Sequence, residues 1–220
     1  MKWTRYGPRA VMVTLADGVG PKAFARARTM MSALEAHPPP GLVEYVPGFT
    51  TLLLEFEASF AADLPVIVAD LVQKLEASAS VRLPAPTTHV VPVRYNGPDL
   101  ERVASRHRLS TKEVQRLHTA RTYQVYLLGF APGFPYLGDL DERLHTPRLA
   151  SPRPKVRAGS VGIGGQHTGI YSVDSPGGWN IIGHTDVRLF YPERCDAASV
   201  EESNMFLLKP GDRVRFEPCS

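Results

Sequence analysis

The residues best suited to chemistry lie in three loops of the second half of the chain. Arg153-Pro-Lys-Val-Arg157-Ala-Gly-Ser160-Val-Gly-Ile-Gly-Gly-Gln166-His-Thr168-Gly-Ile-Tyr171 places two arginines ahead of a glycine-rich run. Arginine grips carboxylate or phosphate with two parallel N–H groups, and glycine lets a ligand approach backbone N–H groups. Ser160, Gln166 and Thr168 add neutral donors, so the set suits a small anion; two solvated arginines beside a glycine hairpin would look the same in sequence. Gly129-Phe-Ala-Pro-Gly-Phe-Pro-Tyr-Leu-Gly138 carries Phe130, Phe134 and Tyr136 on a path fixed by Pro132, Gly133 and their neighbours. Such a loop builds a pocket wall or caps a barrel end. Ser175-Pro-Gly177-Gly178-Trp179 is a tight turn ending in one of two tryptophans, a core residue or a site edge. His118 closes an expected helix, where it serves either the helix dipole or acid–base chemistry. His167, beside Gln166, is the other histidine candidate.

The elements that position these loops fall into two parts. Residues 10–15, 42–46, 50–56 and 89–93 read as strands. Residues 21–36, with Pro21 in the first turn, and 63–77, with Asp63 as cap, read as helices. The order β-α-β-β-α-β is the split arrangement of ferredoxin-like folds. Residues 78–88 are polar and proline-rich and form the expected linker. Asp99 is placed to cap a helix over 100–107, and Ser110-Thr-Lys-Glu113 is a capping box opening a helix to about His118. From a strand at 123–128 onward turn signals recur and helical periodicity vanishes, the pattern of a small β-barrel or sandwich. The expected organisation is thus α+β: a ferredoxin-like domain over 1–86, then a β-barrel domain over 87–220 with two short leading helices.

Composition narrows the function classes. The 220 residues are 43% hydrophobic and 21% charged, enough for a packed core. A net charge of +3 without a long basic run argues against nucleic acid. Two cysteines exclude a disulfide-dense scaffold and a four-cysteine zinc site, and reduced thiols in the cytoplasm are expected. No apolar stretch is long enough for a signal peptide or a membrane span. There is no GxxxxGK[ST], GxSxG or HExxH, the glycine-rich run fails GxGxxG at His167, and no metal site is expected.

The runs YLLGFAPGFPYLGDL, TPRLASPRPKVRAGSVGIGGQHTGIY, SPGGWNIIGHT and LLKPGDRVRF closely resemble the KipI/PxpB family, also labelled allophanate hydrolase subunit 1. The resemblance is strongest from Tyr95 to Phe216. It implies a ferredoxin-like N-terminal domain and a cyclophilin-like β-barrel after it. It also implies the B component of an ATP-dependent 5-oxoprolinase, which opens 5-oxo-L-proline to L-glutamate with a KipA-like C component and a LamB/YcsF-like A component. ATP, with Mg2+, is then a co-substrate, held largely by a partner. The family motif falls on Phe130, Pro132, Gly133, Phe134, Tyr136, Arg153, Ser160, Gln166, Thr168, Tyr171, Gly177, Gly178 and Trp179, and His118 matches a common histidine. The roles this suggests are Arg153 or Arg157 on an anion, Gln166 and Tyr171 on the lactam or phosphoryl group, and His118 as proton shuttle. Two other functions share the fold: inhibition of a sensor histidine kinase, and a carboxyltransferase-like role on urea-derived amides. The start, YGPRAVMV, lacks the family's usual Gly-Asp, and the segment Tyr191–Asn204 is longer than the family leads one to expect.

Overall fold

A computed structural model describes residues 1–77, 85–194 and 205–219. Most of the proposed linker and of the long segment after Tyr191 therefore lies outside the described residues. The chain divides into two compact units, Met1–Ala85 and Pro86–Ser220, both mixing helix and sheet.

The first unit is a four-stranded antiparallel sheet with two helices. Its elements are β1 (Lys2–Arg5), β2 (Ala10–Thr14), α1 (Pro21–Ala36), β3 (Leu42–Pro47), β4 (Thr51–Phe56) and α2 (Leu64–Ala77). The sheet order is β1-β2-β4-β3. Val11 pairs with Leu54 and Val13 with Leu52. Period-two alternation sends these four to one face, where Ala27, Met30 and Leu34 of α1 and Leu64 and Val68 of α2 cover them. The helices and three of these strands match the sequence reading. Residues 89–93, the last strand of the β-α-β-β-α-β order though assigned with 87–220 to the second domain, do not join this sheet. The N-terminal strand β1 takes the place beside β2 instead, antiparallel and in register from Lys2 opposite Thr14 to Arg5 opposite Val11.

The second unit contains β5 (Thr88–Val93), α3 (Leu100–His107), α4 (Thr111–Thr119), β6 (Thr122–Leu128), β7 (Pro135–Gly138), β8 (Arg153–Val156), β9 (Ser160–Gly164), β10 (His167–Ile170), β11 (Ser175–Gly177), β12 (Asn180–His184) and β13 (Arg213–Pro218). Seven strands form one sheet in the order β12-β9-β10-β7-β6-β13-β5, and β8 pairs with β11. The sheet curls until its edges meet. Arg94, just after β5, and His184, at the end of β12, exchange N–H···O bonds of 2.8 and 2.9 Å. Val91, Val93, Tyr123, Val125, Val161, Ile163, Ile170, Ile182, Val214 and Phe216 fill the interior, and α3 and α4 pack on it through Leu100, Val103, Val114 and Leu117. The predicted capping box is present: the Ser110 side chain accepts from the Glu113 N–H, and the Glu113 carboxylate accepts from the Ser110 N–H. Asp99, expected to cap α3, makes no side-chain cap bond; its carboxylate is committed elsewhere.

Candidate functional site

The aromatic loop folds back on itself. The Gly129 N–H donates to Phe134 O at 3.1 Å and the Phe134 N–H to Ala131 O at 3.0 Å. Gly133 takes φ +71°, and so does Phe130, a conformation in which a side chain costs energy. The strained Phe130 stands 62% exposed. Pro132, also exposed, accepts a 2.5 Å bond from the Ser172 hydroxyl. Phe134 turns inward and becomes the hub of an aromatic wall. Phe130, Tyr136, Tyr171 and Trp179 stand edge-on to it with ring centroids 5.1 to 5.4 Å away, the geometry ring quadrupoles favour.

This wall lies on the outside of the curled sheet. Val161 and Ile163 of β9 point into the barrel, so Gly162 and Gly164 face outward. A Cβ on Gly164 would sit 2.6 Å from the Trp179 ring, and one on Gly177 would sit 2.1 Å from the Tyr171 hydroxyl oxygen. These two glycines clear room for the protein's own aromatics rather than for the ligand that the glycine-rich composition suggests. Replacing Gly164 by Ala should displace the indole and cost about 1–3 kcal/mol. A red-shifted Trp179 emission, read in a Trp3→Phe background, checks this; unchanged emission and stability would contradict the packing described.

Cations edge the wall. The Arg153 guanidinium donates to Asp99 Oδ1 at 2.8 Å and to Trp179 O at 3.4 Å. Asp99, 5% exposed, also accepts the Ile181 N–H at 2.7 Å through Oδ2. The arginine expected to seek an external anion thus already holds an internal one, and only the 31% of its side chain that remains exposed faces solvent. Arg148, not singled out in the sequence, lies 5.8 Å over the Trp179 ring. Arg102 donates to Asn180 Oδ1, and the Asn180 amide donates to Pro147 O and Ile163 O. Burial pushes the Tyr171 phenol up in pKa, opposed by the Trp179 N–H and by the charges of Arg148 and Arg153. Ser160 joins this end of the hairpin by accepting the Tyr171 N–H at 2.9 Å. Gly178 carries a carbonyl that accepts from the Leu149 N–H.

Four predicted site residues stand apart from this group. Gln166 is exposed at the β9–β10 turn. Tyr171 lies at the opposite end of β10, about 16 Å away at some 3.3 Å per residue. The structure therefore does not bring these two together on one substrate group. Arg157 is exposed in the turn before β9, where its charge helps lower the pKa of Asp174, a shift led by the Lys155 hydrogen bond. Thr168 lies in the barrel wall with His118, both fully buried.

His118 sits inside the second unit, stacked on Phe216 at 4.5 Å. Tyr95 Oη lies 2.7 Å from Nδ1 and Thr168 Oγ1 lies 2.8 Å from Nε2. The Thr168 hydroxyl donates to Gly162 O at 3.0 Å, so it accepts from His118. The neutral imidazole therefore carries its proton on Nε2 and accepts the Tyr95 proton on Nδ1. Burial lowers its pKa to about 3. A side chain with no exposed surface and both nitrogens engaged is built as a neutral internal post, which corrects the expectation that it shuttles a proton to substrate. Sequence reasoning missed Asp99, Arg102 and Arg148 as members of the outer cluster; no local signal marks them, because their partners are 54 and 78 residues away or lie across a ring.

Known proteins extend this picture. The family described as "Carboxyltransferase domain, subdomain C and D" matches residues 1–200. A protein named as the B component of 5-oxoprolinase in Escherichia coli O157:H7 is 45% identical over 184 residues, 81% of this chain and 79% of its own. A protein of the same name from Bacillus subtilis (strain 168) is 36% identical over 96% of this chain and 89% of its own. The crystal structure of TTHA0988 superposes with a TM-score of 0.79 at 39% identity, covering 96% of this chain, which spans 40% of that longer protein.

Proposed function

The chain belongs to the family of the carboxyltransferase domain, subdomains C and D, and on that footing we propose that it is the B component of an ATP-dependent 5-oxoprolinase. In this reading it acts in the cytoplasm with a KipA-like C component and a LamB/YcsF-like A component, and its second unit is a cyclophilin-like barrel. The observation that carries the proposal is the 36% identity to the Bacillus subtilis protein of that name across 96% of the chain.

The chemistry is coherent with the site. A lactam carbonyl is a poor electrophile. Transfer of the ATP γ-phosphoryl group to its oxygen releases ADP and activates the carbon. Water adds there, the ring C–N bond breaks with the nitrogen taking a proton, and a second water releases phosphate, leaving glutamate. The exposed edge of Arg153, with Arg148, offers the charge to hold the substrate carboxylate. The projecting Phe130, with the half-buried Tyr136, offers a face for its ring. ATP and its Mg2+ enter as substrate, held mainly by partner chains.

The test is glutamate release from 5-oxo-L-proline and MgATP by the three-component mixture, with each component omitted in turn. Turnover is expected only when this chain is present, and Arg148→Ala should lower kcat/KM at least tenfold. An assembled complex that releases no glutamate, or one equally active without this chain, overturns the reading and moves weight to kinase inhibition or another amide.

A further inference from the structure

A second feature of the barrel exterior lies away from the aromatic wall. Strand β13, between β6 and the last strand β5, alternates strictly: Val214 and Phe216 are buried in the core, so Arg213, Arg215 and Glu217 project outward. Its neighbours do the same. On β5, Val91 and Val93 point in while Thr88 and Val90 point out; on β6, Tyr123 and Val125 point in while Thr122 and Gln124 point out. The register aligns these residues in two rows across three strands. Arg213 stands opposite Thr88 on one side and Gln124 on the other; Arg215 stands opposite Val90 and Thr122. Neighbouring strands are about 4.8 Å apart, so each row brings its side chains within reach of one small ligand. These six residues and Asp139 line a cleft of about 610 Å³.

The charges in the cleft are unequally committed. Arg215 forms a 2.7 Å ion pair with Glu217, two residues along the same face. Asp139, at the rim, accepts a 2.9 Å bond from the Tyr126 hydroxyl. Arg213 is exposed and makes no ion pair among the described residues. It is flanked by a hydroxyl and a primary amide that can also donate. A guanidinium between two neutral donors, on a floor stiffened by three hydrogen-bonded strands, matches the oxygens of a compact oxyanion. The Asp139 carboxylate lines the cleft, which disfavours a large polyanion and favours a small one seated over Arg213.

We propose that this cleft is a binding site for a small oxyanion, a carboxylate or phosphate, held by Arg213 with Thr88 and Gln124 and flanked by Arg215 and Thr122. The site is separate from the aromatic wall and does not rest on the 5-oxoprolinase reading. It is tested with the full chain by isothermal titration, using inorganic phosphate in one series and malonate in another at fixed ionic strength. Saturable binding of one or both is expected, and the preferred probe identifies which oxyanion the site takes. Arg213→Ala should weaken it at least tenfold and Gln124→Ala severalfold, while Arg116→Ala, an exposed arginine on α4, should leave it unchanged. All three positions are exposed or half-exposed, so folding is preserved, and far-ultraviolet circular dichroism confirms it. Absence of saturable binding by either probe, or equal binding in Arg213→Ala, overturns the proposal.

Discussion

Lowering the pH from 7 to 4 is expected to cost the second unit about 3 kcal/mol through His118 alone. In the folded state burial holds this imidazole neutral, with its pKa lowered to about 3. In the unfolded chain it takes a proton near pH 6.5. The unfolded state therefore binds more protons below that pH, and stability falls as pH drops through the window from about 6.5 to 3, by about 1.4 kcal/mol per unit. His107 and His167 are shifted the same way, chiefly by burial, and add to the trend. Urea unfolding at stepped pH, compared between the wild type and His118→Gln, isolates the His118 share. Parallel pH profiles for the two proteins would show that His118 is not held neutral.

Asp99→Ala should lower stability by about 2–3 kcal/mol. Removing one partner of a buried ion pair costs about 3–5 kcal/mol when both are sequestered. Here Asp99 is 5% exposed while 31% of the Arg153 side chain meets solvent, which reduces the penalty on the arginine. The Ile181 N–H is also orphaned, and an unsatisfied buried donor costs about 1–3 kcal/mol. Asp99→Asn keeps an acceptor for that N–H and should lose less than Asp99→Ala. The loss should also loosen the aromatic wall, because Arg153 reaches Trp179 O from its place on Asp99. Denaturant midpoints and the near-ultraviolet dichroism of Trp179 check both statements; an Asp99→Ala protein within about 0.5 kcal/mol of wild type would sink the argument.

Much of the architecture is legible in the sequence because its signals are local. The helix Pro21–Ala36 declares its first turn with a proline, Ser110 and Glu113 declare a capping box, and Leu42–Pro47 and Thr51–Phe56 read as strands between turn residues. What escaped is what depends on distant partners. Lys2–Arg5 is an edge strand with mostly exposed side chains, so it shows no apolar alternation. Thr88–Val93 reads correctly as a strand, yet its sheet is chosen by residues 213–218. The aromatic loop was visible as composition, and the structure gathers Phe130, Phe134, Tyr136, Tyr171 and Trp179 as one wall. The acid that organises its cationic edge was not visible, since Asp99 at a helix start looks like a cap and only the fold reveals Arg153 and Ile181 as its partners. His118 shows the same limit: a histidine in a reactive position and one locked in a core have identical sequence signatures.

The position of β13 governs how the second unit must be made. It lies between β5 and β6, and Thr87 and Asp212, already bonded where this pairing begins, are 125 residues apart. At ribosomal rates of about 5–20 residues per second, the interval is on the order of ten seconds. Until β13 emerges, β5 and then β6 as well present open edges to the surrounding protein, a standing invitation to mispairing. Closure is therefore a late, long-range event that sets a slow folding phase. Trimming the last eight residues would leave β5 without its ladder partner and part it from β6.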